Sequence, residues 1–285
     1  MNEERAVCMK KRKKRVVIGL AMLLGVGAFL LSPLFSFVRS LAVMGIYSAM
    51  HESKSLMAQE DIQLRIPGGW ETAKADWYPF VMTYVADADY ARYIGEPDAK
   101  LTILYNFPAF AYGKGCSRLF DRDSVYYNGF YGAYFLRDDS NEALARGELD
   151  EEVVANVAKF DFFHLVLGDF GLKSEDRIFD FTIDERIENV PYIGYEGWTK
   201  VQAAITVNGS AHPARKGTTS YLQYGAPNFG VVDDAFAPIT ISGTIYGRYF
   251  PEWDAGVYFY VMGDADVCRD CDEAILSKSI LKAKK

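Results

Sequence analysis

The hydrophobic pattern divides the chain sharply. Lys10-Lys11-Arg12-Lys13-Lys14-Arg15 runs directly into 23 residues without a charge, Val16 to Val38. At about 1.5 Å per helical residue this run reaches roughly 34 Å, slightly more than the ~30 Å hydrocarbon core of a bilayer. A helix satisfies its own backbone groups there, so the pattern predicts one transmembrane helix over 16–38, preceded by a basic tail at 1–15. Gly19, Gly25 and Gly27 form no G-x-x-x-G pair, and Pro33 predicts a bend in the outer third. The competing reading is a cleaved signal peptide ending near Ser40 or Ala42. A run longer than the usual ~7–15-residue apolar region, closed by Arg39, favours an uncleaved signal anchor.

Residues 39–60 carry apolar side chains at Val43, Ile46, Tyr47 and Met50, which predicts a helical juxtamembrane stalk. A folded domain is expected over 61–285. Ile62, Leu64 and Ile66 alternate with polar residues as a strand, and further strands are predicted at 80–85 and 100–107. Between the last two, Asp87 to Ile94 reads as a short helix stopped by Gly95. From Tyr105 to Phe135 there are 11 aromatics in 31 residues, with a strand expected within 126–136. A helix follows at 142–160, while 162–167 fits helix and strand equally.

The last third reads as sheet, at 178–183, 200–207, 221–224, 239–250 and 256–262, with Asn208-Gly209 as a hairpin signal. A closing helix is expected over 271–283, with Asp270 and Glu273 as its capping box. Strand runs without regular βαβ alternation predict an α+β fold: a largely antiparallel sheet with the C-terminal helix packed on it, behind the membrane helix.

Charge follows the same boundary. Residues 1–15 carry +5 and the whole chain −7, so the part beyond the apolar run carries −12. The lysine-arginine bias places the N-terminus in the cytoplasm, at the cell membrane, and the domain outside it. An acidic domain is a poor partner for nucleic acid or for an anionic membrane surface, both of which want basic patches. Half the residues are hydrophobic and 15% aromatic, enough for a real core. A mean hydropathy of −0.05 despite the apolar run marks the remainder as water-facing.

Few residues suggest chemistry. Cys268-Arg269-Asp270-Cys271 has C-x-x-C spacing, which lowers a thiol's pKa at a helix start, but Asp264, Asp266, Asp272 and Glu273 oppose a thiolate. Outside the cytoplasm a structural bridge is the commoner use. Three external cysteines allow one: Cys116 to one of the terminal pair, or Cys268 to Cys271. Three external cysteines and His51, His164 and His212, scattered along the chain, supply no second ligand pair to match the C-x-x-C, so no metal site is expected. Among the acidic pairs, Asp121 and Asp123 stand out as a weak binding candidate because their turn lies in the aromatic-rich stretch. The aromatics fit a sheet core better than a glycan platform, although Trp198 and Trp253, beside expected loops, are candidate contacts for a glycan or protein partner. Asn208-Gly209-Ser210 is a glycosylation sequon. No P-loop, G-x-G-x-x-G, G-x-S-x-G or H-E-x-x-H occurs, so no cofactor and no catalytic residue is expected. The leading expectation is an anchored binding or cell-envelope structural protein. A membrane-tethered enzyme using carboxylates, or a thiol-redox module using Cys268 and Cys271, are the alternatives.

Overall fold

The computed structural model describes residues 2–72, 75–111, 116–138, 149–167, 172–210 and 236–284. The strand expected at 221–224, the start of the helix expected at 142–160, and His212 lie outside them. The first helix, α1 (Asn2–Leu30), does not run on to Val38. It stops at Leu31-Ser32, and a second helix, α2 (Pro33–Glu52), begins there. Ser32 makes the break: its hydroxyl donates to the Phe29 carbonyl and accepts from the Phe35 amide, 3.3 Å away, and Pro33 fits the first helical position. Among the described residues no helix is long and apolar enough to cross a membrane. The apolar part of α1, Val16–Leu30, measures about 22 Å. The continuous 16–38 helix is therefore corrected to two pieces.

The stalk is corrected as well, because α2 belongs to the domain. Met44 and Ser40 are wholly buried, Ser40 and Tyr78 share a 3.1 Å hydrogen bond, and the Thr83 amide donates to Ser48 Oγ at 2.9 Å. A short helix, α3 (Leu56–Gln59), follows. Its Leu56 amide donates to Thr102 Oγ1 at 3.0 Å.

Seven strands form one antiparallel sheet in the order β2-β3-β6-β10-β9-β8-β7. They are β2 (Met82–Val85), β3 (Lys100–Asn106), β6 (Phe130–Arg137), β7 (Phe179–Tyr192), β8 (Tyr195–Asn208), β9 (Pro238–Phe250) and β10 (Ala255–Gly263). Two small ribbons pair β1 (Ile62–Arg65) with β11 (Ile280–Ala283), and β4 (Phe110–Ala111) with β5 (Cys116–Ser117). The α+β class with a large antiparallel sheet is as expected.

Central strands are buried on both faces. In β10, Tyr258, Tyr260 and Met262 point into one core, and Val257, Phe259 and Val261 into the other. The first core lies under α2, α4 (Ala88–Tyr93) and α5 (Glu151–Phe160); the second lies under α3, the β1–β11 ribbon and α6 (Ala265–Ala274). α4 begins at Asp87, whose carboxylate accepts the Tyr90 amide, and ends at Gly95 with φ +87°.

The C-terminus differs from the expected 271–283 helix. Asp264 caps α6 by accepting the Asp266 amide, so the helix starts six residues earlier than predicted. Beyond Ala274 the chain makes a 3₁₀ turn and then enters β11. There Leu281 is buried, and Ile280–Ala283 pair residue by residue with β1, antiparallel, which makes this segment a strand.

Candidate functional site

Residues 162–167, undecided between helix and strand, fall on a π-helical turn, Asp161–Val166, that continues α5, with the Leu167 amide donating to the Phe162 carbonyl. Such turns are uncommon and recur at functional positions. This one carries Asp161, a carboxyl 1% exposed in the first core. Tyr105 Oη donates to Asp161 Oδ1 at 2.6 Å and Tyr90 Oη to the same oxygen at 3.3 Å. Oδ2 and the nearby Tyr134 hydroxyl have no hydrogen-bond partner among the described residues. Burial disfavours the charged form and the two hydroxyls favour it less strongly, so the carboxyl is pushed up to about 8. Burial likewise holds Tyr90, Tyr105, Tyr134 and Tyr260 well above the usual phenol range. Asp161 is thus a neutral acid at pH 7, sealed among phenol rings.

Asp161 was missed in the sequence. Its signal was a single acid between Phe160 and Phe162, where a core-facing stretch gives a carboxyl no exit to water.

A second polar cluster lines a cleft of about 320 Å³ where α6 crosses β8 and β9, bounded by Lys200, Gln202, Thr244, Cys268 and Asp272. Asp272 accepts from Tyr246 Oη at 2.7 Å and Tyr192 Oη at 3.1 Å, and Lys200 Nζ lies 3.8 Å away. The two tyrosine rings stack at 3.7 Å with planes 2° apart. These groups satisfy one another. Their arrangement docks α6 on the sheet.

Cys268 and Cys271 lie in the same region, and no disulfide forms among the described residues. Cys116, Cys268 and Cys271 are all buried. Cys116 sits in the first core and the other two in the second, so the sheet separates Cys116 from the pair. Both Cys268 and Cys271 face inward from α6, and the Cys268 thiol donates to the Ser242 carbonyl at 3.3 Å. Burial first, then Asp264 and Asp272, push that thiol up to about 12. The expected bridge is corrected to buried thiols. A maleimide applied to the native full chain in detergent should therefore leave all three unmodified and label them only after denaturation. Labelling of Cys268 at the rate of an exposed thiol would contradict this placement.

The other candidates do not converge. Trp198 and Trp253 are buried in the second core, Trp253 stacked on Phe250 and Trp198 edge-on to it, rather than offered to a ligand. Trp70 is the exposed tryptophan, at 73%. Asp121 and Asp123 form a local turn in which Asp121 Oδ1 accepts the Asp123 amide. Among the described residues no group of His, Cys, Asp and Glu could hold a metal ion. The sequon asparagine is buried too: Asn208 donates to the Asp176 and Phe236 carbonyls and accepts the Ile178 amide. Asn208-Gly209 makes no two-residue hairpin, since β9 begins only at Pro238.

The remaining surface feature is α1. From Val16, 64% exposed, through Leu23 at 71% to Leu31 at 66%, its large apolar side chains are uncovered. A Cβ added at Gly19, Gly25 or Gly27 would meet nothing within 4 Å. This part of the helix stands clear of the domain. No protein-family model, curated protein or solved structure matches the chain.

Proposed function

We propose that this protein is anchored in the cell membrane by Val16–Val38, N-terminus in the cytoplasm, and that its acidic α+β domain serves outside in binding or in envelope structure. The observation that carries the reading is the uncovered apolar surface of α1, directly behind the basic cluster Lys10–Arg15. Leaving that area in water opposes solubility at about 25 cal/mol per Å², and cationic residues at its inner end fit the cytoplasmic leaflet. A helix break at membrane depth is costly when backbone groups go unpaired. Here Ser32 pairs two of them, the Phe29 carbonyl and the Phe35 amide. Lysine and arginine stems reaching to the headgroups, with modest local thinning, accommodate a 22 Å apolar helix.

A binding or structural role for the domain is supported by what its polar groups do. Asp161 is enclosed by the core, Asp272 is engaged by two tyrosines, and the Cys268 thiol is protonated at neutral pH. Each is covered or engaged by the domain itself.

The test is membrane retention of the full chain. It should stay with the membrane pellet through alkaline carbonate, and a variant with Leu20, Leu23 and Leu24 all changed to lysine should be released. Release of the unaltered chain by carbonate would remove the proposal.

A further inference from the structure

We infer that the outer face of α2 is a second lipid-facing surface, so that the domain lies against the membrane instead of hanging below a stalk. The inference rests on the anchoring proposal and goes beyond it, because it carries the lipid contact past Val38 to Ile46 and Met50.

α2 is buried along one side only. Ser40 and Met44 are fully covered, and Phe37, Leu41 and Tyr47 pack against the first core. On a soluble domain the opposite side of such a helix would carry charged and polar residues. Here it carries Leu34, Val38, Ala42, Ile46 and Met50, each four residues from the last, so they form one stripe. Leu34 and Val38 are 45% and 46% exposed, and Ile46 and Met50 are each 63% exposed. The stripe is about 24 Å long. Arg39 lies on this face, in line with Ile46, but is only part-exposed; His51 and Glu52 end the helix and Lys54 lies just beyond it. His51 turns back onto α2, stacked on Tyr47 at 3.9 Å.

Two observations point to lipid as the occupant. First, the stripe continues the exposed apolar surface of α1 across the Ser32 break, so a helix already in the membrane delivers α2 to the boundary between headgroups and acyl chains. A helix with one apolar face settles there, lying in the plane. Second, the face offers a close helix–helix contact with a second copy no glycine, and Val38 and Ile46 flank its small residue, Ala42. The glycine of α2, Gly45, points into the domain, where an added Cβ would stand 3.7 Å from Phe80 Cζ.

Spin labels on single cysteines introduced at Leu23, Ile46, Met50 and Glu252, in a full chain carrying Cys8→Ser, test this in vesicles of mixed zwitterionic and anionic phospholipid. Collision with oxygen is compared with collision with a water-soluble nickel chelate. The expected result is a shift toward oxygen at 23, 46 and 50, with nickel favoured at 252. Oxygen preference at 23 with nickel preference at 46 and 50 would overturn the inference and leave the anchor intact. Nickel preference at 23 would remove the anchor and the inference with it. Labels at 46 and 50 shielded from both quenchers, with broadening between chains, would assign the face to a second copy and overturn the lipid assignment.

Discussion

Gly132→Ala is expected to destabilise the domain by about 3 kcal/mol or more, a large share of a typical domain's stability. Gly132 lies in β6 between Tyr105 on β3 and Tyr260 on β10. The space its missing side chain leaves is occupied by Tyr260, whose hydroxyl donates to the Leu104 carbonyl at 3.3 Å. An added Cβ would fall 2.7 Å from that hydroxyl and well inside contact distance of the Leu104 carbonyl oxygen. Backbone cannot yield as a side-chain tip does, so two central strands would have to part. Gly25→Ala is the control: nothing lies within 4 Å of its added Cβ, and alanine favours helix. Thermal unfolding of both full-length variants in detergent measures the contrast. A Gly132→Ala protein melting within a degree or two of the parent would refute the packing described for β3, β6 and β10.

The second large effect is expected at Asp161, and its sign depends on pH. Folding raises this carboxyl from the usual range near 4 to about 8. Between those values the native state holds a proton that the unfolded chain has released. The contribution to stability is therefore complete below about pH 4 and lost as pH rises through 8, by about 1.4 kcal/mol per pH unit. Asp161→Asn keeps an oxygen for the Tyr90 and Tyr105 hydroxyls and has no proton to lose. It should match the parent near pH 4.5 and exceed its stability at pH 8.5. Asp161→Ala leaves both hydroxyls without an acceptor in the core, at about 1–3 kcal/mol for each stranded group, and should be less stable at pH 4.5. Urea midpoints for the three proteins across this range provide the measurement. Parallel pH profiles for the parent and Asp161→Asn would show that the carboxyl is not held neutral.

Much of the sheet was legible because its strands obey local rules. β1 alternates, α4 carries its own cap and glycine stop, and β9 and β10 are apolar runs of strand length. The reading failed where tertiary context decides. A central strand buried on both faces has no period of two, so the aromatic stretch could be recognised as core without its strand order. The full lengths of β7 and β8 were hidden by their turn. Ile193 and Gly194 are both left-handed, at φ 40° and 84°, and isoleucine seldom signals such a turn. Pro191 near the end of β7 is tolerated because β7 is an edge strand. The break at Ser32 was visible only as a bend at Pro33, since hydropathy is blind to a serine that caps the next helix. α2 read as a stalk because its buried face is formed by partners such as Tyr78 and Thr83, more than thirty residues away. Asp161 is the clearest case: its environment comes from Tyr90, Tyr105 and Tyr134, on three separate elements.

The central claim is that the basic tail and the folded domain lie on opposite sides of a membrane. Cys8 precedes the apolar run, and Ser277 is exposed just after α6. A membrane-impermeant maleimide applied to intact cells expressing the Ser277→Cys full chain should label residue 277 and spare Cys8, which becomes reactive only on permeabilisation. Protection of residue 277 until the cells are opened would place the domain inside and contradict the account.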